Sequence, residues 1–353
     1  MSDVSAVRGF GMLAEQPEDW REPGAHPVVP GVYRVPLPIP ANGLHAVNAY
    51  VIESLEGPVI VDSGWAMPDA EKALAAALEA LGHRLSDLAQ VLVTHAHWDH
   101  YSQALALRRA FGVRVRVGRG ERVSIEAHDP ANGLHPRQAE MLLRCGAPDL
   151  ARRIATQEVS EEDRNMPFTL PDAWLDHGER IPLGPREIDV VATPGHTRGH
   201  VVLRDAVAGL LFAGDHVLPH ITPSLGLEPV PEPKPLRSYL DSLRLVRDMP
   251  DTLLLPAHGP VTRSVHTRIE ELLRHHEERL DEAFGHVRAG ASTAFEVARA
   301  MRWTRRGRKL DDLDLFSQML AVLESDAHLD LLADHGLLTA TGDDGIRRYV
   351  LSQ

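Results

Sequence analysis

The run His95-Ala96-His97-Trp98-Asp99-His100 places four metal-capable side chains within six positions. Imidazole and carboxylate together suit zinc, iron or manganese. The run follows Leu88-Ala89-Gln90-Val91-Leu92-Val93-Thr94, an apolar stretch that reads as a buried strand. The chemistry expected is therefore a metal site on the rim of a sheet. Histidines at i and i+2 would splay across a helix, unlike the i, i+4 pair of a zincin helix, so a strand end is the better seat.

One run is half a site, and three distant segments offer the other ligands. Thr193-Pro194-Gly195-His196-Thr197 follows the apolar stretch Ile188-Asp189-Val190-Val191-Ala192. Ala213-Gly214-Asp215-His216 follows Leu210-Leu211-Phe212, and Pro256-Ala257-His258-Gly259 follows Thr252-Leu253-Leu254-Leu255. Each is a short apolar stretch, a glycine-containing turn, then His or Asp. Strand ends of open α/β sheets are where ligands gather.

Together these residues resemble the metallo-β-lactamase fold family, whose order is His-x-His-x-Asp-His, then His, then Asp, then His. Every position of that order is filled here. The resemblance implies that His95, His97 and His196 form one metal site, that Asp99, His100 and His258 form a second, and that Asp215 bridges the two. Val61-Asp62-Ser63-Gly64 matches a further family motif, in which the Asp supports the site without binding metal. The match spans roughly residues 30 to 265 and implies an α+β chain, the four-layer αββα metallo-β-lactamase fold. It also implies two divalent metal ions as cofactors, zinc first, with iron and manganese as alternatives.

Two divalent ions about 3.5–4 Å apart share a water and lower its pKa toward neutrality, giving a metal-bridging hydroxide at pH 7. Asp99 is expected to act as a catalytic residue as well as a ligand, orienting that hydroxide and later handling its proton. No Ser nucleophile with a His–Asp relay is identifiable by local motif. Asp215 stands where true metallo-β-lactamases generally carry Cys. The resemblance therefore points toward glyoxalase II, lactonases, thioesterases and metal-dependent nucleases, and away from β-lactam hydrolysis. Tyr101-Ser102 replaces the Gly-Gly of many glyoxalase-II-like members, which counts against a glutathione thioester. His200, His216 and His220 lie close to the ligands in sequence and are candidates to support or line the pocket; Trp98 reads as packing.

Behind this chemistry stands a 353-residue chain with 43% hydrophobic residues, enough for two domains with real cores. Fifty carboxylates against 37 Lys plus Arg give a net charge of −13, which argues against a general nucleic-acid binder. The single cysteine, Cys145, excludes an intrachain disulfide framework and reads as a small buried apolar residue. No stretch reaches the ~18 apolar residues of a membrane span. The first residues lack the charged-then-apolar order of a signal peptide, so a cytoplasmic protein is expected.

The elements that must position the ligands are partly readable. Residues 1–28 read as a tail, and 29–266 as the hydrolase domain. Segments 47–53 and 58–62 read as paired strands, 69–81 as a helix, 102–111 as a second helix and 114–117 as a strand. Residues 119–175 depart from a compact core, with helical stretches at 136–144 and 149–156 and an acidic run at 158–163. They read as a helical insertion that serves either as a substrate lid or as a structural elaboration. Residues 218–235 hold six prolines in a long loop after Asp215, and 236–248 is an amphipathic helix.

Residues 267–353 change character. Helices are expected at 268–284, at 292–301 with a Thr293–Glu296 capping box, and at 315–332. A hairpin follows around Gly342-Asp343-Asp344-Gly345. This is similar to the small winged-helix domain appended to some lactamase-fold hydrolases, including a group with ribonuclease activity.

The leading functional reading is a binuclear metal-dependent hydrolase that cleaves a thioester or ester of a small metabolite. The alternative is a metal-dependent endoribonuclease acting on single-stranded RNA, supported by the appended domain and its basic string Arg299, Arg302, Arg305, Arg306, Arg308 and Lys309. No membrane partner is expected, and a homo-oligomer stays open. Flavin-coupled di-iron chemistry is disfavoured, because residues 267–353 lack a flavodoxin-like βαβ pattern.

Overall fold

The protein is described by a computed structural model covering residues 13–40, 44–133, 135–158, 160–166, 168–342 and 344–353. Seven strands form the first sheet in chain order: β1 (His26–Val29), β2 (Val32–Pro38), β3 (Ala46–Ile52), β4 (Val59–Val61), β5 (Gln90–Val93), β6 (Arg114–Gly118) and β7 (Ala173–Leu175). Pairing is antiparallel from β1 to β4 and parallel from β4 to β7. Side chains alternate along these strands as the period of two requires. Ile60, Val91 and Val93 join one buried cluster, while Val59, Val61 and Leu92 join another on the opposite face.

Helices α1 (Pro68–Ala80) and α2 (Trp98–Phe111) cover the first face. Helix α1 buries Ala70, Leu74, Ala77 and Leu78, a single stripe at helical spacing, and opens on a proline where no backbone donor is needed. Helix α2 begins four residues earlier than its apolar pattern suggests, so Asp99 and His100 lie in its first turn. Their polar side chains hide the periodicity there.

Four short helices follow within the 119–175 segment: α3 (Arg122–Ala127), α4 (Pro136–Arg144), α5 (Pro148–Ala155) and α6 (Glu161–Arg164). The segment closes on β7, which rejoins the first sheet. The second sheet has the order β12-β11-β10-β9-β8, from β8 (Arg180–Leu183), β9 (Arg186–Ala192), β10 (Val201–Asp205), β11 (Leu210–Gly214) and β12 (Leu253–Pro256). Strands β8 to β11 pair antiparallel, and β11 with β12 parallel.

Its inner face packs Val190, Leu203, Phe212 and Leu255 against Tyr50, Val61 and Leu92 of the first sheet. Its outer face packs Val202, Leu211 and Leu254 under α7 (Pro235–Arg247) and α8 (Val265–Arg288). Helices, sheet, sheet and helices thus make the four-layer αββα arrangement.

Residues beyond α8 form α9 (Ala294–Ala300), α10 (Leu315–Asp334) and a hairpin of β13 (Leu338–Thr341) with β14 (Arg348–Leu351). The capping box at Thr293 and Glu296 is present. The helical insertion shares its core with this unit. Leu142, Cys145, Leu150 and Ile154 of the insertion cluster with Val287, Val297, Met301, Val322 and Leu332. Helices α4 and α5 thus pack on the C-terminal unit. The flanks of the insertion meet helix α2: His128 packs on Trp98, Phe168 packs on Tyr101, and Thr169 O accepts from Tyr101 Oη at 2.7 Å.

The segment read as a tail is docked where it is described. The Ala14 amide donates to Val28 O at 3.0 Å, Gln16 Nε2 donates to Pro27 O at 2.7 Å, and β1 starts at His26. Residues 1–12 lie outside the described residues, as do part of the acidic run and Asp343 of the hairpin turn.

Candidate metal centre

The ligand segments converge because four strands of two sheets end on the same rim. Strand β5 ends before His95. Strands β9 and β11 run in the same direction, each antiparallel to β10, and β12 is parallel to β11. Their ends deliver His196, Asp215 and His258 to one place.

Two glycines make the turns. Gly195 has φ 138°, and a Cβ there would lie 2.4 Å from Tyr239 Cα. Gly214 has φ 50°, and a Cβ there would lie 2.6 Å from Thr94 Oγ1 and 2.7 Å from His200 Nε2. Only a residue without a side chain lets these turns pass so close to their neighbours.

Two clusters result, and together they contain every residue expected from the sequence. In the first, His95 Nε2 lies 2.9 Å from His97 Nδ1 and 3.3 Å from His196 Nε2, with His97 Nδ1 and His196 Nε2 3.1 Å apart. In the second, Asp99 Oδ2 lies 3.3 Å from His258 Nε2 and 3.6 Å from His100 Nε2. Asp215 divides its carboxylate between them. Its Oδ2 is 3.5 Å from His196 Nε2, and its Oδ1 is 3.5 Å from His258 Nε2 and 3.7 Å from His100 Nε2.

A divalent ion fits both clusters. Tetrahedral zinc with Zn–N near 2.0–2.1 Å would set its nitrogens about 3.3 Å apart, close to the observed spacings. Among the described residues His100 Nε2, His258 Nε2 and Asp215 Oδ1 are buried atoms with no hydrogen-bond partner. Leaving such atoms unpaired costs about 1–3 kcal/mol each, which a cation between them removes.

The electrostatics favour neutral imidazoles in the first cluster and positive charge in the second. Burial, then the neighbouring imidazoles, hold His95 well below its ordinary value. Burial and His196 bring His97 to about 3, and burial brings His196 to about 4. These three rings are neutral at pH 7, with lone pairs free to ligate. In the second cluster burial would lower His100, but Asp99, Asp62 and Asp215 raise it to about 10. Burial likewise opposes, and Asp215 and Asp99 outweigh it, in raising His258. Burial would raise Asp99, and His100 and His258 hold it well below the carboxylate range instead.

The outer ring nitrogens of His95, His100, His196 and His258 are pinned, which fixes which nitrogen faces inward. His100 Nδ1 meets Asp62 Oδ2 at 2.9 Å, and Asp62 Oδ1 accepts from the Thr94 amide at 2.8 Å. Thr94 Oγ1 meets His95 Nδ1 at 3.1 Å. His196 Nδ1 meets Ser224 O at 2.7 Å, and His258 Nδ1 meets Ala46 O at 2.7 Å. The proline-rich loop thus orients a ligand through its backbone.

His200 accepts from the Asp215 amide at 3.2 Å and meets Thr193 Oγ1 at 2.9 Å, so it positions Asp215. His216 is fully buried against the Tyr239 ring, and His220 is exposed. Trp98 packs edge-on against Trp65 at 5.5 Å.

Sequence reading missed a buried carboxylate pair behind the ligands. Glu121 accepts from Thr197 Oγ1, and Glu228 accepts from the Arg198 amide at 2.8 Å and from Ser124 Oγ at 2.7 Å. Burial raises Glu121 to about 7, and burial together with Glu121 raises Glu228 to about 8.

Fold, ligand order and the two clusters agree with the family comparison: residues 42–258 match the metallo-beta-lactamase superfamily, and the chain belongs to it. It is 25% identical over 317 residues to the "Probable metallo-hydrolase YqjP" of Bacillus subtilis (strain 168), an overlap of 87% of this chain and 93% of that one. A solved beta-lactamase domain protein from Burkholderia ambifaria superposes with a TM-score of 0.76 at 29% identity, covering 93% of this chain and 94% of that one. A hydroxyacylglutathione hydrolase of Cereibacter sphaeroides (strain ATCC 17025 / ATH 2.4.3) is 28% identical over 182 residues, 51% of this chain and 52% of that protein.

Proposed function

We propose that this protein is a binuclear metallohydrolase that cleaves a thioester or ester of a small metabolite. The observation that carries the reading is the divided carboxylate of Asp215, with one oxygen facing each ligand cluster. His95, His97 and His196 would hold one divalent ion, Asp99, His100 and His258 the other, and Asp215 both. Such a pair supplies Lewis acidity toward the acyl oxygen and a water activated for attack at neutral pH.

The chain's own residues do the rest. Asp62, Ser224 and Ala46 hold the imidazoles in register. Asp99, held ionised by His100 and His258 and placed beside both, would accept a proton from the attacking water. A thiolate leaves with little protonation, so it asks least of Asp99, the residue expected to handle the proton. The hydroxyacylglutathione hydrolase relative supports an acyl-transfer substrate, as does Asp in place of Cys at 215. Residues 267–353, with three helices and a hairpin, are read as a winged-helix-like unit.

The test is a panel of acyl thioesters, esters, lactones and single-stranded RNA, offered to zinc, manganese and iron forms. The reading expects acyl substrates to be turned over. RNA cleavage with no acyl hydrolysis would overturn it.

A further inference from the structure

Most of the basic string of the C-terminal unit lies on a small loop closed by backbone pairing. Trp303 and Arg308 pair through both backbone bonds, Trp303 N to Arg308 O at 2.8 Å and Arg308 N to Trp303 O at 2.7 Å. Trp303 anchors the loop from inside. It is 8% exposed, donates Nε1–H to Ala298 O at 2.8 Å and carries the Arg279 guanidinium 4.4 Å from its ring centroid. Out of this base project Arg302, Arg305, Arg306, Arg308 and Lys309, all exposed.

The charge state of that loop is unusual for this chain. Across the molecule carboxylates exceed Lys plus Arg by thirteen. Yet among the described residues none of these five cations lies within ion-pair distance of a carboxylate; the nearby pair is Arg299 with Asp311, at 3.5 Å. Five like charges held together by a pinned backbone repel one another, and an anionic ligand relieves that repulsion.

The loop also touches the segment that leads out of the metal centre. Arg305 Nη2 donates to His220 O at 2.6 Å, and Arg268 holds Leu218 O and Ile221 O of the same turn at 2.6 and 3.0 Å. That turn begins three residues after Asp215. It also sits against Gly259, next in chain to the ligand His258, since a Cβ at Gly259 would lie 2.6 Å from Pro219 Cγ.

We infer that the 302–309 loop is a phosphate-binding site that holds the nucleotide-type carrier of an acyl thioester whose scissile bond reaches the metal centre. The inference deepens the thioester reading and rests on it. A guanidinium cluster offers phosphate paired N–H donors in a fixed fork, and several such groups on one loop match several phosphates on one carrier. The acidic remainder of the surface repels polyanions elsewhere, so the carrier is directed to this loop. A long nucleic acid would meet that same repulsion along its length, which favours the small carrier.

The experiment compares one acyl group on two carriers, coenzyme A and phosphate-free N-acetylcysteamine. It uses the full-length wild type and the variant Arg306→Gln/Arg308→Gln/Lys309→Gln, whose exposed side chains hold no element in place. The wild type should prefer the coenzyme A thioester in kcat/KM, and raising salt should erode that preference. The variant should lose about tenfold or more of the preference, mostly through KM. A preference unchanged within about twofold would overturn the inference.

Calorimetric titration of coenzyme A into both proteins judges the loop without turnover. Weaker binding by the variant supports the site even if neither thioester is cleaved, an outcome that would sink the thioester reading alone. No binding by the wild type overturns the site. So does a variant effect confined to single-stranded RNA. A thermal melt of the variant confirms that it is folded.

Discussion

At the scale of single residues, the ligands are legible because chemistry-bearing residues sit where strands stop, and the turn glycines mark those stops. The residues that aim the ligands are less legible. Ser224 and Ala46 act through backbone carbonyls, which every residue type carries. Glu121, just after β6, and Glu228, in the proline-rich loop, come within electrostatic reach through tertiary folding, and no local spacing announces it. Asp62 was readable only through the family motif.

Two predictions belong here. Asp62→Asn keeps the shape but removes the charge that faces His100, and metal affinity or turnover should drop about 10–100-fold, as for other outer partners of ligands. Metal titration with a chromogenic competitor checks it. Gly214→Ala forces a methyl against Thr94 and His200, and the melting temperature should fall by several degrees, the consequence of roughly 1–3 kcal/mol. Unchanged melting would show that the turn relaxes freely.

At the scale of elements, the strands that escaped reading have physical reasons. Strand β2 carries Pro36 and Pro38, which ordinarily argue against a central strand. It tolerates them because β1 pairs only with Val32, Tyr33 and Arg34, so the prolines lie on a stretch that is locally an edge. Helix α2 was found four residues short because ligands occupy its first turn.

The loop at 218–235 is bound down by Arg198 and Gln138, in part through its own Glu228, and its burial has a pH signature. Glu228 is raised from an ordinary 4.5 to about 8, so its folded form favours the proton. The associated stability is fully present below about pH 4.5 and is lost as pH rises through about 8. Glu228→Gln should therefore be the more stable protein at pH 8–9, by on the order of a few kcal/mol at most, with no advantage near pH 4–5. Melting curves across that range decide it; a variant destabilised at every pH would contradict the assignment.

At the scale of the whole molecule, the sequence divides the chain near residue 266, and the packing does not respect that division. Helix α8 buries Ile269 and Leu272 with α7, Ala327 and Leu331 of α10 join the same cluster, and the insertion shares its core with the C-terminal unit. Long-range packing of this kind leaves no periodic signal at the boundary. Ending the chain at residue 264 should strip both clusters and yield insoluble or unfolded protein, seen by circular dichroism and gel filtration. A well-folded 1–264 fragment would refute the shared core.

The proposed activity depends on two metal ions held between four strand ends. Elemental analysis of purified protein, with hydrolysis followed alongside, tests this most directly. The prediction is about two divalent ions per chain, with metal and turnover both lost in Asp215→Ala and turnover restored to the stripped wild type by added metal. Full turnover by a metal-free preparation would contradict it.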